Sequence, residues 1–299
     1  ILSSVTNAVV AVDSSGTVTH FNQAAERMVG IDSASAIGTH VSSILVSQSQ
    51  QAGAQIIEGD ARSEWIDHIG PLTVLARRES VLREVVSGLA GGADRGHALA
   101  VADTGDSEGL ARAVAAVVER RPVHILVNNT GGPPGGPLHA ANTDALDEAF
   151  RRHVIANQVL LQAVLPGMRQ ARWGRIINVV STSVREPIPG LGVSNTVRGA
   201  VASWAKTLAG ELAADGITVN NVLPGFTETG RIAQIVADRM AKTGETGEQV
   251  RAAMCATVPA GRFARPEETG GVIAFLCSPA AAYVNGVSLA VDGGRMASI

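Results

Sequence analysis

The sequence predicts an α/β protein built on a doubly wound parallel sheet, and three observations carry that prediction. From Pro71 onward, short β-rich apolar runs alternate with amphipathic helical stretches, the pattern of strand–helix–strand units. Residues 123–127 are apolar almost without interruption, as parallel strands covered on both faces are. Residues 174–212 read as a strand, a polar strand end, a Pro/Gly-rich loop and an Ala-rich helix, and open α/β sheets place their ligands at the carboxyl ends of strands.

Each element follows in order. Residues 72–76 form a strand and 79–89 a helix. Residues 97–102 form the next strand and 107–119 the next helix, before the apolar strand at 123–127. A long helix spans 144–170. After the strand at 176–180, which ends in Ser181, Thr182 and Ser183, a helix opens at Ser194. A strand at 217–222, helices at 231–242 and 266–276, and a last strand at 287–291 complete the pattern. The N-terminal part differs. Residues 9–12 and 17–21 flank Asp13-Ser14-Ser15-Gly16, a hairpin signal, and Asn22 can cap a helix that Gly30 ends. Residues 47–70 begin polar and carry one short, mostly apolar run at 54–57; they read as a junction.

Composition narrows the function. The chain has 299 residues, 45% of them hydrophobic, enough for a full core, and a net charge of −3 with no basic run, which excludes a nucleic-acid binder. No apolar run reaches membrane-spanning length and no basic-then-apolar leader opens the chain, so a cytoplasmic protein is expected. Cys255 and Cys277 make no disulfide framework and read as buried thiols in helices. The seven histidines lack metal-ligand spacing, and no nucleophile-elbow pattern supports hydrolysis. There is one tyrosine, Tyr283, and there are two lysines, Lys206 and Lys242.

Two resemblances add to this. Residues 1–46, with Asn22, Ala24, Ala25 and Glu26 and then Ala36, Ile37 and Gly38, resemble the first half of a PAS domain. The remaining PAS strands are not recognisable downstream, so a haem or flavin pocket is not expected; the segment reads either as structural or as a sensor. Residues 71–299 resemble the short-chain dehydrogenase/reductase family, close to its 3-oxoacyl-carrier-protein reductase-like branch. Asn128-Asn129-Thr130-Gly131, Pro224-Gly225 with Thr229, Gly261-Arg262-Phe263 through Pro266-Glu267-Glu268, and Val291-Asp292-Gly293-Gly294 carry that resemblance.

The family resemblance implies NADP, with NAD also possible, and hydride transfer to or from a carbonyl or alcohol of a small molecule. It implies that Arg77 and Arg78 end the second family strand where a 2′-phosphate is read; a solvated Arg pair at a helix start is the other reading. Asp103 falls where the family contacts adenine. Asn128, Asn129 and Gly131 fall where backbone approaches the cofactor, or form a plain tight turn. Pro224, Gly225 and Thr229 resemble the loop beside the nicotinamide. A dimer or tetramer built through the helices at 144–170 and 194–214 is the implied assembly. Two departures stand out. No Gly-x-x-x-Gly-x-Gly turn precedes residue 72, where the family cradles the pyrophosphate. The family's Asn-x-x-Ser strand end is matched by Asn178 and Ser181, but Ser194 and Arg198 stand where Tyr and Lys are expected.

An aliphatic hydroxyl is a poorer proton donor than a phenol of pKa ~10, and an arginine does not relay a proton. His153, which aligns with the family's active-site Asn, is the remaining titratable candidate, with Ser181 and Ser194 binding the carbonyl; a histidine of the core or of a subunit interface is the alternative. The function expected is therefore an NAD(P)-dependent oxidoreductase with an atypical or impaired site. The alternatives are a non-catalytic PAS/Rossmann-like sensor or scaffold, or a rearranged product without activity.

Overall fold

A computed structural model describes residues 10–12, 17–21, 26, 32–37, 70–89 and 92–298. The chain divides into two compact units, residues 1–70 and 71–299.

In the first unit, β1 (Val10–Val12) pairs antiparallel with β2 (Val18–Phe21), Val10 opposite Phe21, with a register irregularity between Ala11 and Val12. The expected hairpin strands are therefore present. A short helix, α1 (Ser33–Ala36), is capped by the Asp32 carboxylate, which accepts from the Ser35 N–H. The hairpin turn at 13–16, the cap at Asn22, Gly30, Gly38 and the junction at 47–69 lie outside the described residues.

The second unit alternates as its hydrophobic pattern demands. Its elements are β3 (Thr73–Ala76), α2 (Glu79–Gly88), β4 (Ala98–Val101), α3 (Ser107–Arg120), β5 (Ile125–Asn128), α4 (Thr143–Phe150), α5 (Ala156–Ala171), β6 (Gly174–Val179), α6 (Gly192–Leu212), β7 (Ile217–Pro224), α7 (Gly230–Thr243), α8 (Gly247–Cys255), α9 (Pro266–Cys277) and β8 (Ser288–Val291). The long helix expected at 144–170 is interrupted: a π-helical turn, Arg151–Ile155, separates α4 from α5. Helix α8 was not anticipated, although its capping box, Thr246 with Gln249, stands in the sequence.

All pairings in this unit are parallel, but the sheet is in two blocks. β3 pairs with β4, and β5, β6, β7 and β8 pair in that order. No strand among the described residues hydrogen-bonds between β3 and β5. In a doubly wound sheet that gap is where the chain order reverses, and ligands bind at such a point.

The main core lies between β6 and β7 and the helices α5 and α6, where Leu161, Val164, Met168, Ile176, Leu212, Ile217 and Val219 are buried. A second cluster, Ile177, Val222, Leu276 and Ala281, packs α9 on the other face. Both faces of β6 and β7 are thus covered, which is why these strands read as apolar runs. Gly216 turns the chain into β7 with φ +74; a Cβ there would fall 2.2 Å from the Arg172 carbonyl oxygen, so only glycine fits. Side chains also bind the four strands together. Asn128 donates to Asn178 (2.9 Å), Asn178 to Asn221 (3.0 Å) and Asn221 to Ser288 (3.1 Å), a buried amide ladder across β5 to β8.

Candidate functional site

The carboxyl ends of β3, β4 and β5 open on one cavity of about 740 Å³. Arg77 and Thr104 line one end of it; Asn129, Gly131, Gly132 and His153 line the other. Sequence reasoning placed Arg77, Asn129, Gly131 and His153 at a site, and the structure brings these four into the same hollow.

The Arg77 end holds a charge cluster that includes a residue the sequence did not single out. Asp103 accepts from the Gly105 N–H at 2.8 Å and from Arg152 Nη1 at 2.5 Å. The Gly105 hydrogen bond, with the hydrogen bond and charge of Arg152 and the charge of Arg77, holds its carboxyl below the usual range against the opposing effect of burial. Arg152 also holds Glu148 at 2.9 Å. Asp103 is therefore pinned by Arg152, the residue next to His153 in the π-helical turn. Arg78 is exposed and caps α2 with its backbone only.

At the other end, the π-helical turn carries His153 inward, and the residue is 3% exposed. Burial first, and then the Arg198 charge, push its imidazole down to about 4, against a hydrogen bond with the Gly131 backbone. At neutral pH it is uncharged. Arg198, 8% exposed, donates from Nη1 to the Val179 carbonyl oxygen (2.7 Å) and from Nη2 to that of Thr130 (3.0 Å), so it spans the ends of β6 and β5. Burial, and after it the Arg231 charge, lower its pKa to about 10. Its buried Nε has no hydrogen-bond partner. Ser194 is buried on the first turn of α6. Ser181 is half-buried, and its hydroxyl caps the next short turn by accepting from the Ser183 N–H at 3.1 Å.

The remaining expected residues serve the scaffold more visibly. Asn128 turns into the amide ladder, leaving Asn129 on the cavity wall. Pro224 ends β7, and Gly225 lies so close to Asp292 that a Cβ would meet its Cα at 2.8 Å. Thr229 stands at the N-cap of α7 and donates to the Thr227 carbonyl. The single tyrosine, Tyr283, is fully exposed, and Lys206 is tied to the Gly286 carbonyl at 2.9 Å. Neither Tyr283 nor Lys206 substitutes for Ser194 or Arg198. Of the two cysteines, Cys277 is buried and burial raises its thiol to about 11, whereas Cys255 is half-buried. Among the described residues no group of three metal-ligating side chains converges, and no helix is long and apolar enough to cross a membrane.

A family model described as "Enoyl-(Acyl carrier protein) reductase" matches residues 70–295, and one described as "PAS fold" matches residues 1–67. The chain is 36% identical to the 3-oxoacyl-[acyl-carrier-protein] reductase FabG of Vibrio cholerae over 172 residues, 58% of this chain and 66% of that reductase. It is 31% identical to the gluconate 5-dehydrogenase of Gluconobacter oxydans over 201 residues, 67% of this chain and 75% of that enzyme. The L-sorbose reductase of Gluconobacter frateurii, solved with NADPH and L-sorbose, superposes with a TM-score of 0.73 at 26% identity, covering 80% of this chain and 92% of that one.

Proposed function

The chain belongs to the short-chain dehydrogenase/reductase family, and on that footing we propose that it is an NADP(H)-dependent oxidoreductase acting on a small carbonyl or alcohol, with an atypical site. The single observation that carries the reading is the cavity at the strand ends, with Arg77 at one end and Gly131, Gly132 and His153 at the other. Those residues fit a dinucleotide at its two extremities. The Arg77 guanidinium suits a 2′-phosphate. The bare backbone of Gly131, with nothing within 4 Å of a Cβ built on it, leaves space for close approach. Among the described residues no glycine turn cradles the diphosphate between them.

NADP(H), when bound, supplies or takes the hydride. The chain's own part is to bind the carbonyl and manage charge and proton. Ser181 and Ser194 can donate hydrogen bonds to the carbonyl oxygen, and the buried Arg198 cation favours the negative charge that develops there. Proton supply is the weak link. His153 is neutral at pH 7, so it serves as an acceptor during alcohol oxidation and not as a donor during carbonyl reduction. General acid catalysis is worth about 10²–10⁴-fold; reduction by this chain should be slow by about that margin, and Ser194→Tyr combined with Arg198→Lys should raise kcat.

Titration with NADPH, followed by nicotinamide fluorescence, tests the reading. Micromolar binding is expected, weakened about tenfold or more in Arg77→Ala, with NADH binding less tightly. No binding at millimolar nucleotide overturns it. The committed hydrogen bonds of Arg198 and the exposed position of the only tyrosine also support a second reading, a binding protein without turnover; saturable NADPH binding with no reduction across a carbonyl panel would establish it. The α4–α5 segment exposes Phe150 and Ile155, apolar surface suited to a homo-oligomer, in a cytoplasmic setting.

A further inference from the structure

Next to Gly132, three hydrogen-bond donors converge on one empty point. A side chain begun at Gly132 would start 3.8 Å from Arg198 Nη2, 3.9 Å from Arg231 Nη2 and 3.9 Å from Ser194 Oγ. The two guanidinium groups come from different elements, α6 and the first turn of α7. Neither is paired with a carboxylate among the described residues. Arg198 donates only to the backbone of Val179 and Thr130, and Arg231 only to the Pro133 carbonyl oxygen at 3.3 Å. Two like charges so placed repel, and one of them is buried with its Nε unpartnered.

Helix polarity makes the arrangement more positive still. The amino end of α7 carries the positive end of its dipole, where a cation is disfavoured, and no side chain caps it: the Thr229 hydroxyl is turned to Thr227. Arg231 sits in that first turn. A buried cation, a second cation at a helix amino end and a hydroxyl, all within 4 Å of one point and without a carboxylate partner among the described residues, are arranged for a negative ligand.

We infer that Arg198, Arg231 and Ser194 form a carboxylate site, and that the substrate of the proposed reductase is an oxo acid or hydroxy acid whose carboxylate lies beside the reacting carbon. This rests on the oxidoreductase reading for the word substrate, but the carboxylate site itself does not. A planar guanidinium matches a carboxylate through two parallel hydrogen bonds. Ser194, with its single hydroxyl hydrogen, then serves the carboxylate, and Ser181 is left to donate to the adjacent carbonyl oxygen. A branched side chain at Gly132 would grow from a Cβ already 3.8–3.9 Å from these three donors, into the space the carboxylate takes.

Oxalate, titrated calorimetrically at constant ionic strength and without nucleotide, is the direct probe. Saturable binding is expected. It should weaken about ten- to hundredfold in Arg231→Ala, a change at an exposed position, and in Gly132→Val, as expected for losing or blocking a hydrogen bond to a charged group. The unliganded melting temperature of each variant shows that it is folded. Equal oxalate affinity in wild type and in both variants overturns the inference. So does displacement of oxalate by saturating NADPH, which would assign the donors to the nucleotide's phosphates. With NADPH present, pyruvate and its methyl ester should differ in KM by about tenfold or more in wild type, and this preference should collapse in Arg231→Ala. If NADPH fails to bind while oxalate binding persists and depends on Arg231, the oxidoreductase reading falls and the carboxylate site stands.

Discussion

His153 shows how one buried residue connects the site to stability. It is 3% exposed, and its pKa is held at about 4 against an unfolded value of ~6.5. Between those values the unfolded chain binds a proton that the folded chain does not, so stability rises with pH through that window. The contribution is complete above pH ~6.5 and is lost as pH falls toward 4, amounting to roughly 2–4 kcal/mol at ~1.4 kcal/mol per unit. Denaturant titrations of wild type and His153→Gln between pH 4.5 and 7.5 check this. The wild type should lose more stability than the variant as pH falls below 6.5, and parallel curves would refute the shift. This residue was legible from its alignment. Arg152 and Arg231 were not, because their roles depend on Asp103 and Arg198, which lie 49 and 33 positions away in the chain (152 − 103; 231 − 198). The one local signal for Arg231 was its charge: a cation in a helix first turn works against the dipole.

At the scale of elements, the split of the sheet decides which parts are firm. β6 is hydrogen-bonded on both sides, to β5 and β7, and five of its six residues are buried. Among the described residues β3 is hydrogen-bonded only to β4, and none of its residues is fully buried. Buried area and ladder bonds set local opening free energies, so amides of β3 and β4 should exchange with deuterium well before those of β6 and β7. Substitutions should follow the same order. Ile177→Ala, at a fully buried position, should cost about 3–4 kcal/mol, and Leu75→Ala, half-buried, about 1–2 kcal/mol. Equal costs in denaturant unfolding would show that the two blocks share one core. Most elements were readable because hydrophobic period reports which faces are covered, and β6 and β7 are covered twice. The π-turn at Arg151–Ile155 was unreadable: its extra residue per turn leaves the apolar pattern of α4 and α5 almost unbroken. The separation of β3 from β5 was foreshadowed by the missing glycine turn, because the strand that precedes such a turn is the one the described sheet lacks.

For the whole molecule, the question is how much of the chain the second unit needs in order to fold. The buried clusters described around β6, β7 and their helices draw only on residues from Leu75 to Met296. Their strands are joined by crossovers within that span, and the Asn128–Asn178–Asn221–Ser288 ladder ties β5 to β8 within it, with only the Oδ1 of its first member, Asn128, left without a partner among the described residues. A unit of that size with its own core is expected to fold alone. Residues 71–299 expressed without residues 1–70 should therefore give a soluble protein with a single cooperative melting transition. Among the described residues one edge of β3 and one of β5 have no strand partner, and this sets the counter-argument, because open strand edges invite pairing with another chain. If those edges govern behaviour, the truncated protein will associate, and its sedimentation will shift with concentration while full-length protein under the same conditions does not. A concentration-independent species with a sharp melt would place the stability of the unit in its double-covered strands, and a broad, association-prone transition would place it instead in what residues 1–70 contribute.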